Sequence, residues 1–478
     1  ELPLEIWLYI ATFIPEATLR ELLGVNLLFY NISLDMRYKS ITLQRFSSRT
    51  MKLLKRLADP AIGERVRLLT ASPDFRFYGA VRAPPTSSFR KFLHSFRLLG
   101  SGSDNLNKPR PEEEGTRALT DALPAMSNVM AFTIDSHSWG QHSGTQLHQF
   151  LNTAWVSFGF KLKKLSLRGH AASFRTIITS KPLLPMVEEL FFELIDNPTS
   201  DMLQEDADTL VTVFAPFINS FSSRLQALTF WAWTSLELSA FFWSLGNFPL
   251  LTCFNFQTSF PRTFRDDPSS LSAFLRQHHT RLKILVLRLN KSPLLHAIQT
   301  EQPLSEWMLS TFQANHFSHL EELQLYPSAL PRGFDALLTC IQLSAETLHT
   351  LVVRDRYLDP QDVLRLVYVL PSNIQYLQLN VLEMDVQLYD SLAFRLPRLL
   401  SLSLYISKML PDFPVSLTSS QFRTDLSLFI VRTYTAWRLR NIGVWQNGSM
   451  CPYKLMHALA NSIPSVDSFW GVGNTNMD

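Results

Sequence analysis

Cysteine is scarce in this chain. Its 478 residues hold three, Cys253, Cys340 and Cys451, far apart and without a CxxC pair, so neither a disulfide framework nor a thiolate metal site is suggested. That usage points to a reducing compartment, with Cys253 and Cys340, both in apolar contexts, expected as small buried hydrophobes. An excess of one charge is also lacking. The 44 Lys and Arg against 41 Asp and Glu give a formal net charge of +3, too small to argue for nucleic acid or an anionic membrane. No uninterrupted apolar run reaches the ~18 residues of a membrane span. The richest stretch, residues 238–256, is broken by Ser244, Gly246, Asn247 and Pro249. No secretory signal pattern is read at the start. No G-x-S-x-G, P-loop or G-x-G-x-x-G occurs, so acyl transfer, nucleotide hydrolysis and dinucleotide chemistry have no motif support, and no cofactor is expected.

What is present is a period. Leu320-Glu321-Glu322-Leu323-Gln324-Leu325-Tyr326 sets apolar residues at its first, fourth and sixth places. The spacing recurs in Leu162, Leu165 and Leu167, in Leu225, Leu228 and Phe230, and in Leu282, Leu285 and Leu287. It returns in Leu348, Leu351 and Val353, in Ile374, Leu377 and Leu379, and in Leu399, Leu402 and Leu404. Looser copies start at Val66, Val129, Val187, Leu251, Leu439 and Val466. From Val129 onward the starts lie roughly 25 to 40 residues apart, the interval of a solenoid. The fourth and sixth residues alternate with exposed neighbours, so each copy reads as a short strand with one face inward. Segments of helical period lie between copies, such as Leu271-Ser272-Ala273-Phe274-Leu275 and Val363-Leu364-Arg365-Leu366-Val367. One strand and one helix cannot bury their own apolar sides, so neighbouring copies must cover them. The 46% hydrophobic content allows a large core.

The pattern resembles a leucine-rich repeat. The resemblance implies an α/β fold, a solenoid with a curved parallel sheet and outer helices, over residues 66–478. The family's asparagine, three places beyond the last leucine, stands at Asn290 and Asn447 but is missing from most copies, so irregular copies of variable length are expected.

Residues 1–43 read differently. Leu2-Pro3-Leu4-Glu5-Ile6 opens a helix, with Pro3 near its first position, where the missing N–H costs nothing. Ile6, Ile10 and Phe13 fall on one face and Pro15 ends it. A second helix spans about residues 17–25 with Leu19, Leu22 and Leu23 inward, and a third carries Phe29 and Ile32. So small a module buries little surface alone and leans on a partner. The Leu2-Pro3, Glu5-Ile6, Ile10, Phe13-Ile14-Pro15, Leu19, Leu22, Val25-Asn26 and Phe29 series resembles an F-box, with Asn26 where the family often has a smaller residue. By that resemblance Leu2, Pro3, Ile6, Ile10, Ile14, Pro15, Leu19, Leu22 and Val25 match positions that contact the Skp-type adaptor of a cullin–RING (SCF-type) ubiquitin ligase. It also implies a cytoplasmic or nuclear location and a non-catalytic role in presenting a target protein for ubiquitin-dependent degradation. No nucleic-acid partner is expected, because the basic Lys161, Lys163, Lys164 and Arg168 are followed at equivalent strand places by the acidic Glu188-Glu189 and Glu321-Glu322, which break a continuous basic track, and no membrane partner is expected. The alternative is a leucine-rich-repeat interaction scaffold without ligase engagement.

Residues 44–65 read as a linker helix with Met51, Leu54 and Leu57 inward, followed by the Asp59-Pro60 turn, with the first strand at Val66. Residues 73–116 interrupt the period. Their second half, rich in turn formers and mixed charge, is expected to be a mobile surface loop.

If places four and six point inward, places three, five and seven line the solvent side, the concave face of the arc. Place seven down the chain gives Asp135, Arg168 and Glu193, then Trp231, Gln257, Arg288, Tyr326, Arg354, Asn380, Tyr405 and Trp445. The last eight are the expected substrate-binding residues, because Trp, Tyr and Arg combine contact area with a polar handle. Aromatics in such a column can also pack along neighbouring rungs as structural ladders. Asp135, His137, His142 and His148 crowd one region but lack zinc-site spacing, and H-E-x-x-H is absent, so they read as surface histidines and no metal is expected. His278-His279 reads as a solvated helix end.

Overall fold

The apolar triplets fold as their alternation requires. The computed structural model describes residues 3–11, 13–43, 47–72, 111–136, 144–180, 183–195, 201–232, 236–264, 267–289, 297–326, 331–344, 346–408, 432–446, 449–450 and 453–469. The chain divides into two units, Glu1–Phe217 and Ile218–Asp478.

The first unit opens with α1 (Leu4–Ala11), α2 (Glu16–Glu21) and α3 (Leu27–Tyr38). Asn26 caps α3, its Oδ1 accepting from the Phe29 N–H at 2.9 Å, which satisfies one of the helix's orphan donors. The helices share a small core of Ala11, Leu19 and Ile32, with Ile14, Leu22, Leu28 and Phe29 packed against it.

The sheet begins earlier than the period predicts. Ser40–Leu43 is β1, which pairs in parallel with β2 (Leu68–Ala71) in the register Ile41↔Leu69. Tyr38, Ile41 and Leu43 are buried at the first, fourth and sixth places. This is a further copy whose first place is tyrosine, and that aromatic hid it among aliphatic triplets. Residues 1–43 are therefore not a purely helical module, since their last strand belongs to the sheet. The following helix is Ser48–Leu57, capped by Ser47, with Leu54 and Leu57 fully buried.

β3 (Ala131–Asp135), β4 (Lys164–Gly169) and β5 (Glu189–Leu194) follow in chain order, each parallel to the strand before it. Residues 73–110 lie outside the described set. Pro111–Ala122, assigned in part to the interrupting loop, is a helix. Proline at a first helical position and the run Glu112-Glu113-Glu114 in the first turn suit a helix N-terminus and its dipole, a local signal that the charge of the segment concealed.

The second unit repeats the scheme. β6 (Ala227–Ala232), β7 (Cys253–Thr258), β8 (Ile284–Arg288), β9 (Glu322–Tyr326), β10 (Thr350–Leu358), β11 (Tyr376–Glu383), β12 (Ser401–Lys408) and β13 (Asn441–Gln446) pair in chain order, all parallel. β14 (Ser449–Met450) runs antiparallel against the end of β13, and β15 (Ser468–Phe469) parallel against its start.

Two devices set the register. First, places one, four and six are buried copy after copy, from Val66, Leu69 and Ala71 to Leu399, Leu402 and Leu404. A slip of one residue would turn every one of them outward. Second, within each unit the carbonyl just before a strand accepts two successive N–H groups from the next copy. Lys283 O receives Glu321 N (2.8 Å) and Glu322 N (2.9 Å), and His349 O receives Gln375 N (2.8 Å) and Tyr376 N (3.1 Å). This backbone ladder needs no asparagine. Asn290 and Asn447 lie outside the described residues. Together these features make each unit a length of α/β leucine-rich-repeat solenoid.

Phenylalanine fills the space between strands and helices. Phe256 at a sixth place meets Phe242 of the helix Ser239–Ser244 with centroids 5.1 Å apart, and Phe254 meets Phe274 of the helix Ser269–His278 at 5.0 Å. His278, expected in solvent, is fully buried in this aromatic cluster. Its Nε2 accepts from Phe248 N at 3.0 Å and its Nδ1–H donates to Phe274 O at 2.8 Å, which fixes one neutral tautomer. Loss of solvation by burial, with Arg281 nearby, holds its pKa below the ordinary 6.5. Cys340 is buried as expected, and burial pushes its thiol pKa up, so it is inert. Cys253 is instead half-buried, because it occupies a third place, on the face opposite the core. Among the described residues no helix is long and apolar enough to cross a membrane.

Leu323→Ala, at a fully buried fourth place, is expected to cost about 2–5 kcal/mol in urea unfolding. His278 gives a pH signature. The unfolded chain takes up the imidazole proton first, so its contribution is intact above pH 6.5 and is lost as pH falls toward the depressed folded pKa. Thermal scans between about pH 7 and pH 5 should show a falling Tm, with a shallower fall in His278→Gln.

Candidate functional site

Strand register decides which seventh-place residues become neighbours. Trp231, Gln257, Arg288 and Tyr326 stand side by side across β6 to β9. Asn380, Tyr405 and Trp445 do the same across β11 to β13. Between the two groups the ladder breaks. β10 pairs with β11 through Val353↔Leu379 and resumes only at Tyr357↔Asn380, so residues 354–356 bulge out of the sheet. Such bulges redirect side chains.

The bulge is pinned on both sides. Asn380, expected on the solvent face, is instead buried at 9% exposure, with its Nδ2 donating to the Arg354 carbonyl. It is a bracket for the bulge and not a contact residue. On the other side Arg356 Nη2 meets Asp362 Oδ2 at 2.6 Å, both side chains largely buried. Asp362 lies in the first turn of the helix Pro360–Val369, where a carboxylate is favoured by the dipole. Arg365 Nη1 reaches the same carboxylate at 3.2 Å and its Nη2 reaches Asp335 at 2.6 Å. Both arginines lie over the Phe334 ring at 5.3 Å.

The lifted Arg354 then reaches over β11, and its guanidinium lies 5.2 Å above the Tyr405 ring. Tyr405 is itself stacked on Trp445, with centroids 4.9 Å apart and planes at 17°. Trp445 can lie flat because β13 has glycine at its fifth place. A Cβ on Gly443 would stand 2.1 Å from the indole ring. A smaller version of the motif precedes the bulge, with Arg288 over the Tyr326 ring at 5.2 Å. Trp231 Nε1 and Gln257 Nε2 both lie 3.4 Å from Asn255 Oδ1. The column is therefore a ladder of stacked side chains, and its aromatic members pack along the rungs while remaining part-exposed.

In the first unit the column is charged and paired. Arg168 Nε is 3.4 Å from Glu193 on the adjacent strand, and at the third places of the same strands Lys164 is 3.1 Å from Glu189. Lys283 and Glu321 pair in the same way at 2.8 Å in the second unit. Basic and acidic side chains thus alternate across neighbouring strands.

Of the residues expected to contact an adaptor, Leu2 lies outside the described set. Pro3, Ile6, Pro15 and Val25 are exposed, and Ile10, Ile14 and Leu22 are half-buried. Leu19 is 1% exposed, inside the core that joins α1, α2 and α3, so it holds the helices together and offers no surface. His137 and His142 are outside the described residues, and His148 is exposed on the helix Gly144–Phe158. No group of three possible metal ligands occurs among the described residues.

Gly443, Arg356 and Asp362 were not singled out from the sequence. Glycine inside a strand pattern is a signal of close approach and could have marked Gly443. The Arg356–Asp362 pair left no such trace.

No family model matches the chain, and no curated protein matches it either. Solved structures similar to it include the complex of Rad7 and Elc1 in yeast, at 13% identity over 70% of this chain and 92% of that one, with a TM-score of 0.32. Another is the leucine-rich-repeat-containing protein LegL7 from Legionella pneumophila, at 13% identity over 70% of this chain and all of that one, with a TM-score of 0.38.

Asp362→Ala removes the partner of a largely buried guanidinium and should cost about 3 kcal/mol in denaturant unfolding. Arg354→Ala, at an exposed side chain, should leave the midpoint nearly unchanged.

Proposed function

We propose that the chain is a non-catalytic substrate receptor of a cullin–RING ubiquitin ligase of the SCF type, working in the cytoplasm or nucleus. In this reading α1, α2 and α3 dock on a Skp-type adaptor, and the seventh-place ladder of the second unit holds the target protein. Catalysis is by proximity, since the receptor raises the concentration of a target lysine near the charged ubiquitin-conjugating enzyme. No cofactor or metal takes part.

The observation that carries the reading is the apolar surface of the three helices. Among the described side chains their shared core buries Ala11, Leu19 and Ile32, while Ile6 (44%), Tyr9, Phe13, Val25 (62%) and Leu27 (73%) are exposed. Apolar side chains gathered on so small a module favour a protein partner that covers them. Leu19 contributes from inside, and Ser33 Oγ, donating to the Leu19 carbonyl at 3.0 Å, ties α2 to α3.

The test is copurification of the adaptor with the tagged full chain. Wild type should retain it, and a Pro3→Ala, Ile6→Ala, Ile10→Ala triple variant should lose it with circular dichroism unchanged. Absence of adaptor from wild type would leave an interaction scaffold without a ligase.

A further inference from the structure

In the second unit the seventh-place ladder presents one guanidinium, that of Arg354, with no ion pair among the described residues. In the first unit the column supplies its own counter-charge, with Arg168 beside Glu193 at 3.4 Å. In the second, from β6 to β13, it holds two arginines and no carboxylate. Among the described side chains at the third, fifth and seventh places of these strands, the carboxylate is Glu322, at a third place, where it already accepts from Gln324 Nε2 at 2.7 Å. Among the described residues Arg354 forms no ion pair, and it is exposed.

We infer that Arg354, Tyr405 and Trp445 form a receptor for an acidic peptide segment of a protein partner. The segment's carboxylate or phosphate group would sit on the edge of the Arg354 guanidinium, and the side chain beside it on the Trp445 ring. This deepens the substrate-receptor reading and rests on it.

The geometry favours an anion for three reasons. The guanidinium carbon lies 5.2 Å over the Tyr405 ring, and no ion pair among the described residues takes its N–H donors, which suit a bidentate acceptor. Its backbone is held before any partner arrives, by Asn380 on one side and the Arg356–Asp362 pair on the other. Little ordering therefore remains to be done on binding. Finally, Gly443 lets the Trp445 ring lie flat against the sheet beside Tyr405, so an apolar or planar neighbour of the acidic residue finds a prepared surface.

Peptide libraries with one fixed central residue, glutamate, phosphoserine or glutamine, and degenerate flanks are passed over the immobilised full chain. Retained peptides are then titrated by fluorescence polarisation at low and high salt. Glutamate or phosphoserine peptides should be retained over glutamine peptides, and their binding should weaken with salt. Arg354→Gln should lower affinity by about tenfold or more. Trp445→Ala should reduce it without changing the preference for the anionic residue. Arg395→Gln, an arginine stacked 4.8 Å over Tyr368 on the outer helices, should leave it unaltered.

Equal retention of the glutamine library, no retained peptide, or an Arg354→Gln affinity equal to wild type overturns the inference. So does inorganic phosphate that competes as well as the peptide, which would make this a simple anion site. Adaptor copurification from the same preparation is scored separately. Loss of the peptide result with adaptor retained overturns this inference alone, and loss of the adaptor with acidic peptides retained overturns only the ligase reading.

Discussion

The structure depends on one shared constraint: no copy can satisfy either its apolar side chains or its backbone donors without the next copy in register. The buried triplet, as in Leu320, Leu323 and Leu325, leaves water only when a neighbouring strand and helix close over it. Within each unit the carbonyl before a strand, as at Glu321, finds two N–H donors only on the copy that follows. Both requirements have the same solution, parallel strands in chain order. The connecting lengths can therefore vary widely without disturbing the sheet, and the family's asparagine ladder can be largely dispensed with.

That constraint frees the opposite face. Once places one, four and six are committed to the core, places three, five and seven are released from that requirement. In the first unit those positions are spent on cross-strand ion pairs such as Lys164 with Glu189, which in exposed settings contribute little stability. In the second unit they form guanidinium and aromatic stacks. The interruption at residues 354–356 is the hinge between the two arrangements of that ladder. It costs strand pairing, and the buried Arg356–Asp362 contact and the Asn380 amide offset that loss.

How much of this was legible varied with the range of the interaction. The triplets were readable because burial of places one, four and six follows from strand alternation alone, and Val66, Val129 and Val187 were found despite their looser copies. The copy at Tyr38, Ile41 and Leu43 was missed because tyrosine fits the same buried place as leucine. His278 was assigned to solvent because a histidine pair at a helix end usually is solvated. Its burial depends on packing against Phe248, which approaches from another part of the chain, as well as on Phe274 one turn earlier in its own helix. Asn380 was placed on the open face by counting alone, which cannot anticipate a strand that bulges over it.

The sequence by itself determined the repeat, the parallel α/β architecture, which face of each strand is buried, and the composition of the outward column, because each follows from short-range periodicity. Tertiary structure alone decided which members of that column touch. Arg354 meets Tyr405 across an intervening strand, and Trp445 lies flat over Gly443, because pairing distant segments turns a bulge and a missing side chain into contacts that no local spacing encodes.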